Sequence, residues 1–269
     1  MKSGKTPHGN RFDRPFHKGR GEAKRSRQSF IIGRQPVIEA LKSGKPVERV
    51  FIQRNAGGDI IHTIRELALA HRVPVNAVPE EKLNQLSRAN HQGCIAIASI
   101  VTYHDLQDVI SFIVEKGEIP LFLLLDGITD VRNIGAIARS AVCCGAQAIV
   151  LPEKGVAPLN EEAMKTSAGA LEHIFICREE NLSKAVEILH LNGLHVLASD
   201  GRGGKLLHEC DFNRPVAVIL GAEDKGVHPD LLKKADTVFR IPMAGKFDSF
   251  NVSVAAGISL YEAMKQRMN

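Results

Sequence analysis

The sequence predicts an α/β protein in which a large domain built on a mostly parallel β-sheet follows a smaller N-terminal α/β domain. Short apolar segments alternate with amphipathic helical ones from residue 31 onwards, which is typical of sheets covered by helices. The elements become longer after a charged, partly helical stretch at residues 103–119, where we place the interdomain linker. We therefore expect one domain at residues 29–102 and another at residues 120–269.

The first domain is expected to be a small sheet with helices, because its segments switch between strand-like and helix-like periodicity. In chain order the predicted elements are a helix at 36–41, a strand at 47–52, a helix at 60–71, a strand at 73–78, a short helix at 80–88 and a strand at 94–100. A stretch of this length is sufficient for a separate hydrophobic core.

The second domain shows a longer alternation of strands and helices. The predicted strands are 121–125, 148–151, 173–176, 195–198 and 216–220, and the predicted helices are 134–144, 161–170, 182–191 and 252–266. Ligands of such sheets bind beyond the carboxyl ends of the strands. The residues that follow each strand are therefore the first place to look for a site.

The positive charge of the chain is concentrated at its N-terminus. Residues 1–28 contain nine Lys or Arg and two Asp or Glu, a net charge of +7, so the rest of the chain carries −2 of the total of +5. This Gly-rich segment has too few apolar side chains to offset its ordering entropy, and its cations can replace phosphate counterions. We interpret it as a disordered arm that contacts RNA; a solubilising tail and a mitochondrial transit peptide are the alternatives.

Composition argues against several classes of protein. No apolar run approaches the roughly 20 residues that span a bilayer. The five cysteines form no CxxC pair and lie mostly in apolar segments, so we expect buried thiols, a cytoplasmic protein and no metal site. The chain also lacks the glycine fingerprint of dinucleotide-binding enzymes and the Lys-Ser/Thr ending of a P-loop.

Three segments that follow predicted strands carry the polar residues of a candidate site. The first, residues 126–141, contains Asn133, which suits a helix N-cap, and Arg139, on a helix of otherwise small and apolar residues. An arginine in that setting indicates an anionic ligand. The structural alternative is an ion pair with Asp126 or Asp130.

The second segment, residues 220–226, directly follows a predicted strand. Gly221 and Gly226 would let backbone amides approach a ligand closely, and Glu223 would present a carboxylate at the same edge. A plain turn between two elements is the alternative interpretation.

The third segment, residues 241–258, is an apolar loop that leads into a helix headed by Ser249 and Asn251. These side chains can cap the helix, which is the structural interpretation, or they can present polar groups to a bound ligand. Each segment alone is ambiguous, whereas the three in this order are specific.

Together the three segments resemble the motifs of the SpoU (TrmH-type) RNA 2′-O-methyltransferases of the SPOUT superfamily. The matching residues are Asn133-x-Gly135-Ala136-x-x-Arg139-x-Ala141, then Gly221-x-Glu223-x-x-Gly226, then Ile241-Pro242-Met243 with Ser249-x-Asn251-Val252-Ser253. Residues 32–41 and 91–93 resemble the substrate-binding domain of the same family, so the resemblance covers residues 31–266. Within the family the chain looks most similar to the large-subunit rRNA guanosine-2′-O-methyltransferases.

The resemblance implies properties that periodicity cannot reveal. It implies a C-terminal chain threaded into a trefoil knot, a rare exception to the rule against threaded loops, and a homodimer with the site near the subunit interface. It also implies that bent S-adenosylmethionine is held by main-chain contacts. These contacts map to Gly221, Ile241 and Phe250, with Ser199, Leu220, Gly226 and Met243 nearby. Phe250 stands where the family usually has leucine, but a main-chain contact does not depend on that side chain.

By the same resemblance, Arg139 is the leading catalytic candidate. It would clamp a substrate phosphate, which can itself take the ribose proton; arginine is a poor base because its pKa lies above about 12. Asn133 and Glu223 would position Arg139 and the ribose, whereas Ser249 and Asn251 would order the cofactor loop and the substrate. Methyl transfer from S-adenosylmethionine needs no metal.

The sequence thus predicts 2′-O-ribose methylation of a structured RNA, with a guanosine of large-subunit rRNA as the expected target. Methylation of a tRNA is one alternative. A non-catalytic RNA-binding factor in ribosome assembly is the other, although Arg139, Glu223 and Asn251 are all present.

Overall fold

The computed structural model describes residues 29–245 and 248–268. The basic segment 1–28, interpreted above as an RNA-contacting arm, lies outside the described residues. The N-terminal domain contains, in chain order, β1 (Phe30–Ile32), α1 (Arg34–Lys42), β2 (Val47–Gln53), α2 (Asp59–Ala70), β3 (Val75–Val78), α3 (Glu80–Leu86) and β4 (Cys94–Ala98).

The four strands of this domain form a mixed sheet in the order β1-β4-β2-β3. β4 is antiparallel to β1 and β2, whereas β2 and β3 are parallel. Val50 and Ile52 of β2 pack on one face with Ile61 of α2 in a separate core. Phe51 and Ile97 lie in a cleft that opens towards the C-terminal domain.

The C-terminal domain alternates strands and helices as expected. Its elements are β5 (Tyr103–His104), α4 (Leu106–Glu115), β6 (Leu121–Asp126), α5 (Val131–Cys143), β7 (Ala148–Pro152), α6 (Glu161–Thr166), β8 (Phe175–Glu179), α7 (Leu182–Leu191), β9 (His195–Ser199), β10 (Lys205–Leu206), β11 (Val216–Gly221), α8 (Pro229–Lys234), β12 (Thr237–Arg240) and α9 (Val252–Met268). Short 3-10 turns lie at Ala170–Glu172 and Leu207–Glu209.

These strands form one sheet in the order β10-β12-β9-β11-β6-β7-β8-β5, and the neighbouring strands of this sheet pair in parallel. Side chains alternate between its two faces, so Leu123 and Leu125 contribute to the core beside α5 and α9, whereas Phe122 and Leu124 contribute to the core beside α4 and α7. The predicted α/β class, with a mostly parallel sheet covered on both faces and a small N-terminal domain, is confirmed.

Residues 103–119, expected as a linker, are built into the C-terminal domain in the structure. Tyr103 and His104 form the edge strand β5 beside β8. α4 begins after Asp105, whose side chain caps it, and buries Leu106 and Ile110 in the core under the large sheet. The sequence indicates a linker here because the charged residues of the segment obscure the amphipathic pattern of α4.

The structure corrects the predicted start of α5. The helix begins at Val131, and Asp130 rather than Asn133 is its N-cap, since the Asp130 carboxylate accepts from the main-chain nitrogen of Arg132. Asp and Asn are nearly equivalent as caps, so the sequence did not distinguish two candidates three residues apart. Asn133 lies within the first turn, which leaves its side chain available for other partners.

The described residues also bear on the expectations from composition. None of their helices is both long enough and apolar enough to cross a membrane. Their five cysteines are free thiols, of which Cys94, Cys177 and Cys210 are buried. Cys143 is exposed, so the expectation of buried thiols fails there. Burial raises the pKa of Cys94 to about 12, which makes that thiol inert.

Candidate active site

The three motif segments meet at the carboxyl ends of neighbouring strands. β6 and β11 are paired, with Gly221 opposite Asp126 at their ends. On the far side of β11 the sheet continues with β9 and then β12. The chain that follows each of these strands therefore reaches the same edge of the sheet.

At this edge Asn133, Glu223 and Asn251 form a hydrogen-bonded cluster, one residue from each motif. The Asn133 amide donates to Glu223 Oε1 at 3.1 Å, and the Asn251 amide donates to Asn133 Oδ1 at 3.1 Å. Asn251 also donates to the same Glu223 oxygen. The three residues lie 28 to 118 positions apart in sequence, so the cluster exists only in the folded chain.

Asn251 has a second role at the start of α9. Its carbonyl accepts from the main-chain nitrogens of Val254 and Ala255, and its side-chain oxygen accepts from that of Ser253 at 3.0 Å. One face of the side chain therefore caps the helix while its amide joins the cluster. Capping and presentation of a polar group, weighed above as alternatives, coexist in this residue. Ser249, by contrast, is exposed and has no hydrogen-bonding partner among the described residues.

A pocket opens beside this cluster, and Glu223 belongs to both. The pocket is open to solvent and has a volume of about 660 Å³ when its mouth is included. The pocket is lined by Ser249 and by the seven residues expected around the cofactor, which are Ser199, Leu220, Gly221, Gly226, Ile241, Met243 and Phe250. Further lining residues are Asp200 and Gly201, in the loop expected near the cofactor, Val252 of the third motif, and Ala222, Asp248 and Ala255.

Asp200 could have been anticipated, because it directly follows β9 at the same sheet edge. Burial disfavours its charge, but hydrogen bonds from the main chain and guanidinium of Arg202 outweigh that effect and hold the pKa of Asp200 below its usual value. The pocket wall therefore carries an ionised carboxylate, which suits a cationic or hydroxyl-bearing ligand.

Gly221 is required by the packing of the loop beyond β11. A Cβ at this position would lie 2.0 Å from the carbonyl carbon of Gly226. The loop folds back at this point, since the Gly226 main-chain nitrogen donates to the Ala222 carbonyl at 2.7 Å. Gly226 itself has a φ of +67°, in the left-handed region that favours glycine. This tight return presents Glu223 to the cluster.

Arg139 lies apart from the cluster. It is exposed on α5, six residues beyond Asn133, which corresponds to about 9 Å along the helix axis and a rotation of about 120°. The structural alternative of a pair with Asp126 or Asp130 does not occur in the described chain. Asp126 accepts from the main chain of His228, and Asp130 pairs with Arg132. Among described residues no carboxylate pairs with the Arg139 guanidinium, which leaves it accessible to an external anion.

Two families of known sequences match the chain. The SpoU rRNA Methylase family matches residues 120–261. A second family, described as RNA 2′-O ribose methyltransferase substrate binding, matches residues 30–104. The two matches together cover most of the described chain.

Individual relatives point the same way. A Bacillus subtilis (strain 168) protein, YacO, whose name assigns it to the TrmH family of tRNA/rRNA methyltransferases, is 35% identical over 88% of this chain and 96% of its own. A crystal structure of an RNA 2′-O ribose methyltransferase is 28% identical with a TM-score of 0.53 over 89% of both chains. An AdoMet-bound rRNA methyltransferase from Sinorhizobium meliloti is 26% identical with a TM-score of 0.55 over 88% of this chain and 86% of that one. The chain belongs to the SpoU (TrmH) family of RNA 2′-O-ribose methyltransferases.

Proposed function

We propose that the chain methylates the 2′-hydroxyl of a guanosine in large-subunit rRNA, using S-adenosylmethionine. The observation that carries this proposal is the sharing of Glu223 between the pocket and the Asn133–Asn251 cluster. Glu223 therefore lies where the cofactor pocket meets the polar cluster, and it can orient a hydroxyl beside a bound cofactor. The separate N-terminal domain favours rRNA over tRNA as the substrate, and the Sinorhizobium meliloti neighbour is an rRNA methyltransferase.

The pocket fits S-adenosylmethionine, the cofactor of this family. Its wall combines apolar side chains such as Ile241 and Met243 with the carboxylates of Asp200 and Asp248. The carboxylates complement the positive charge of the cofactor, and the apolar part suits its adenine. We assign main-chain contacts to Gly221, Ile241 and Phe250. Ser199, Leu220, Gly226 and Met243 complete the surroundings. The cofactor supplies an electrophilic methyl group, which needs no metal.

The reaction requires that a poor nucleophile be aligned with that methyl group and lose a proton. We assign Arg139 to a phosphate next to the target ribose, because a planar guanidinium grips two phosphate oxygens and stays protonated. That phosphate can accept the ribose proton. Asn133 and Glu223 orient the hydroxyl, and Asn251 ties the cofactor loop to them. Ser249, exposed at the mouth of the pocket, meets the substrate.

The separation of Arg139 from the cluster is compatible with these roles. One nucleotide spans several ångströms between its ribose and the adjoining phosphates, so groups that hold the two need not touch each other. We also propose that the C-terminal domain, predicted as residues 120–269 and extended by β5 and α4, is the knotted catalytic domain of a homodimer. α9 supports an interface, because Val254 and Tyr261 on it are 48% and 58% exposed.

Ribose methylation mapped across the RNA of cells with and without the gene tests the proposal. We expect one guanosine of large-subunit rRNA to lose its 2′-O-methyl group in the deletion and to regain it when the gene is restored. A lost methyl group in tRNA would redirect the proposal to that substrate. Complete maps that are identical in both strains would contradict methyltransferase activity in the cell.

Deletion of residues 1–28 is expected to weaken RNA binding and to leave S-adenosylmethionine affinity unchanged. The segment carries a net charge of +7, and each phosphate contact it makes would release counterions. The slope of log affinity against log salt concentration should therefore become shallower. Titrations of one RNA at several salt concentrations measure this slope, and an unchanged slope would identify the segment as a solubilising tail.

A further inference from the structure

The two domains are joined by a buried ion pair. Glu48 in β2 and Arg178 in β8 are only 4% and 5% exposed. The Arg178 guanidinium donates to Glu48 Oε2 at 2.9 Å and to the Glu48 main-chain carbonyl at 3.0 Å. Tyr103 donates its hydroxyl to the same carboxylate, and its ring lies 3.5 Å from the guanidinium carbon. The Glu48 carboxylate is thus held by both Arg178 and Tyr103.

The next residue of β8 makes a second connection. Glu179, 1% exposed, accepts from Arg72, which follows α2 of the N-terminal domain. Arg72 also pairs with Asp105 at 2.8 Å. Its backbone has a φ of +52°, a left-handed conformation that costs energy in any residue other than glycine. Arg72 thus adopts a backbone conformation that glycine would adopt at a lower energy.

Stability alone does not account for these pairs. Removing two charges from water is costly, and well-packed apolar residues often stabilise such a position as much or more. Ion pairs with buried members are demanding in distance and direction, however. The fully buried Glu48–Arg178 pair and the Glu179–Arg72 pair, in which only Glu179 is fully buried, come from adjacent residues of β8 and together restrict both rotation and translation. Domains of one chain otherwise tend to move relative to each other.

Two packed helices, α6 and α5, connect the interdomain cleft with the active site. Phe51 of the N-terminal sheet and Glu161 at the start of α6 both line the interdomain cleft. α6 packs so closely on α5 that a Cβ on Gly135 would lie 2.7 Å from the Ala163 carbonyl. α5 carries Arg139. A movement of the N-terminal domain relative to β8 would therefore change the position of RNA bound to that domain relative to the reacting groups.

We propose that Glu48, Arg178, Arg72 and Glu179 are positioning residues. They hold the N-terminal domain in one orientation, so that RNA bound there presents its phosphate to Arg139 and its ribose to Asn133 and Glu223. This inference rests on the proposed function. Misplacement of a substrate by about 1 Å can reduce a rate by about 100-fold. The pairs therefore act on the methyl-transfer rate rather than on cofactor binding.

The main test is the double variant Glu48→Gln/Arg178→Met in the full chain, which removes both charges and leaves none buried alone. We expect its single-turnover methyl transfer to fall at least about tenfold. Affinity for S-adenosylmethionine should be unchanged, and affinity for rRNA should stay within about threefold. The double variant Arg72→Met/Glu179→Gln and the milder Tyr103→Phe test the same inference if Glu48→Gln/Arg178→Met does not fold.

The control is Asp236→Asn, which removes a partly buried carboxylate that pairs with His190 within the C-terminal domain. It should lower the melting temperature without slowing methyl transfer well below that temperature. Folded variants of the cross-domain pairs that transfer methyl at the wild-type rate would overturn the inference. A loss equal to that of Asp236→Asn would also overturn it, because stability would then explain the effect.

A distance measurement does not depend on activity. Spin labels on Arg65→Cys in α2 and Lys184→Cys in α7 report the orientation of the domains. The background is Cys143→Ser/Cys144→Ser, because these two thiols are not buried, and the labelled protein is diluted with unlabelled protein. One narrow distance distribution is expected, broadened by Glu48→Gln/Arg178→Met. A broad distribution without that double variant would overturn the inference. Inactivity of the wild-type protein on rRNA would instead count against the proposed function.

Discussion

Replacement of Arg139 by alanine is expected to reduce methyl transfer by at least about 100-fold, while folding and S-adenosylmethionine binding are retained. The side chain is exposed and does not line the cofactor pocket, so its loss leaves neither a cavity nor a weakened cofactor site. Its proposed partner is a phosphate of the RNA. Transfer from labelled cofactor to rRNA, with thermal melting in parallel, measures both parts of the expectation.

Two further variants sharpen this experiment. Arg139→Lys should restore little activity, because an ammonium group cannot reproduce the bidentate grip of guanidinium. Arg132→Ala is the matched control, since Arg132 is exposed on the same helix but already pairs with Asp130; it should have a small effect. If Arg139→Ala melts normally and transfers at nearly the wild-type rate, Arg139 is structural. The catalytic assignment then moves to Glu223 and Asn251.

The general location of the candidate site could be predicted from the sequence. Parallel strands bring their carboxyl ends to one edge, so polar residues after β6, β11 and β12 are expected to be neighbours. The hydrogen bonds among Asn133, Glu223 and Asn251 were beyond prediction, because they depend on the path of each loop. Asn133 illustrates this limit of prediction. As the predicted N-cap it would use its side chain to bond the main chain of α5, but the N-cap is Asp130, and the Asn133 side chain joins the cluster instead.

The contacts between the domains were harder to predict. Glu48 and Arg178 are charged residues that are buried between the domains, and nothing in the local sequence pattern indicates that burial. β5 has two residues, too few for any periodicity, and its pairing with β8 fixes the position of Tyr103. The orientation of the two domains therefore depends on contacts between residues far apart in sequence, which local patterns do not predict.

Gly221→Ala is expected to weaken S-adenosylmethionine binding at least about tenfold, equivalent to about 1.4 kcal/mol. From sequence, the expected reason was a side chain intruding on the cofactor. In the structure the added Cβ would instead meet the backbone of the same loop, 2.0 Å from the Gly226 carbonyl carbon and 2.2 Å from the main-chain nitrogen of Val227. The backbone of residues 222–226 must move to relieve such contacts, and it carries Glu223.

Gly221→Ala should therefore impair catalysis beyond its effect on cofactor affinity, because Glu223 leaves its position beside Asn133 and Asn251. Calorimetry without added metal measures binding, and methyl transfer at saturating cofactor measures the remaining loss, expected at about 100-fold. Gly204→Ala is the control, since a Cβ there meets nothing within 4 Å. Wild-type affinity in Gly221→Ala would show that the loop tolerates displacement. Full activity at saturation would show that Glu223 does not depend on this loop for its position.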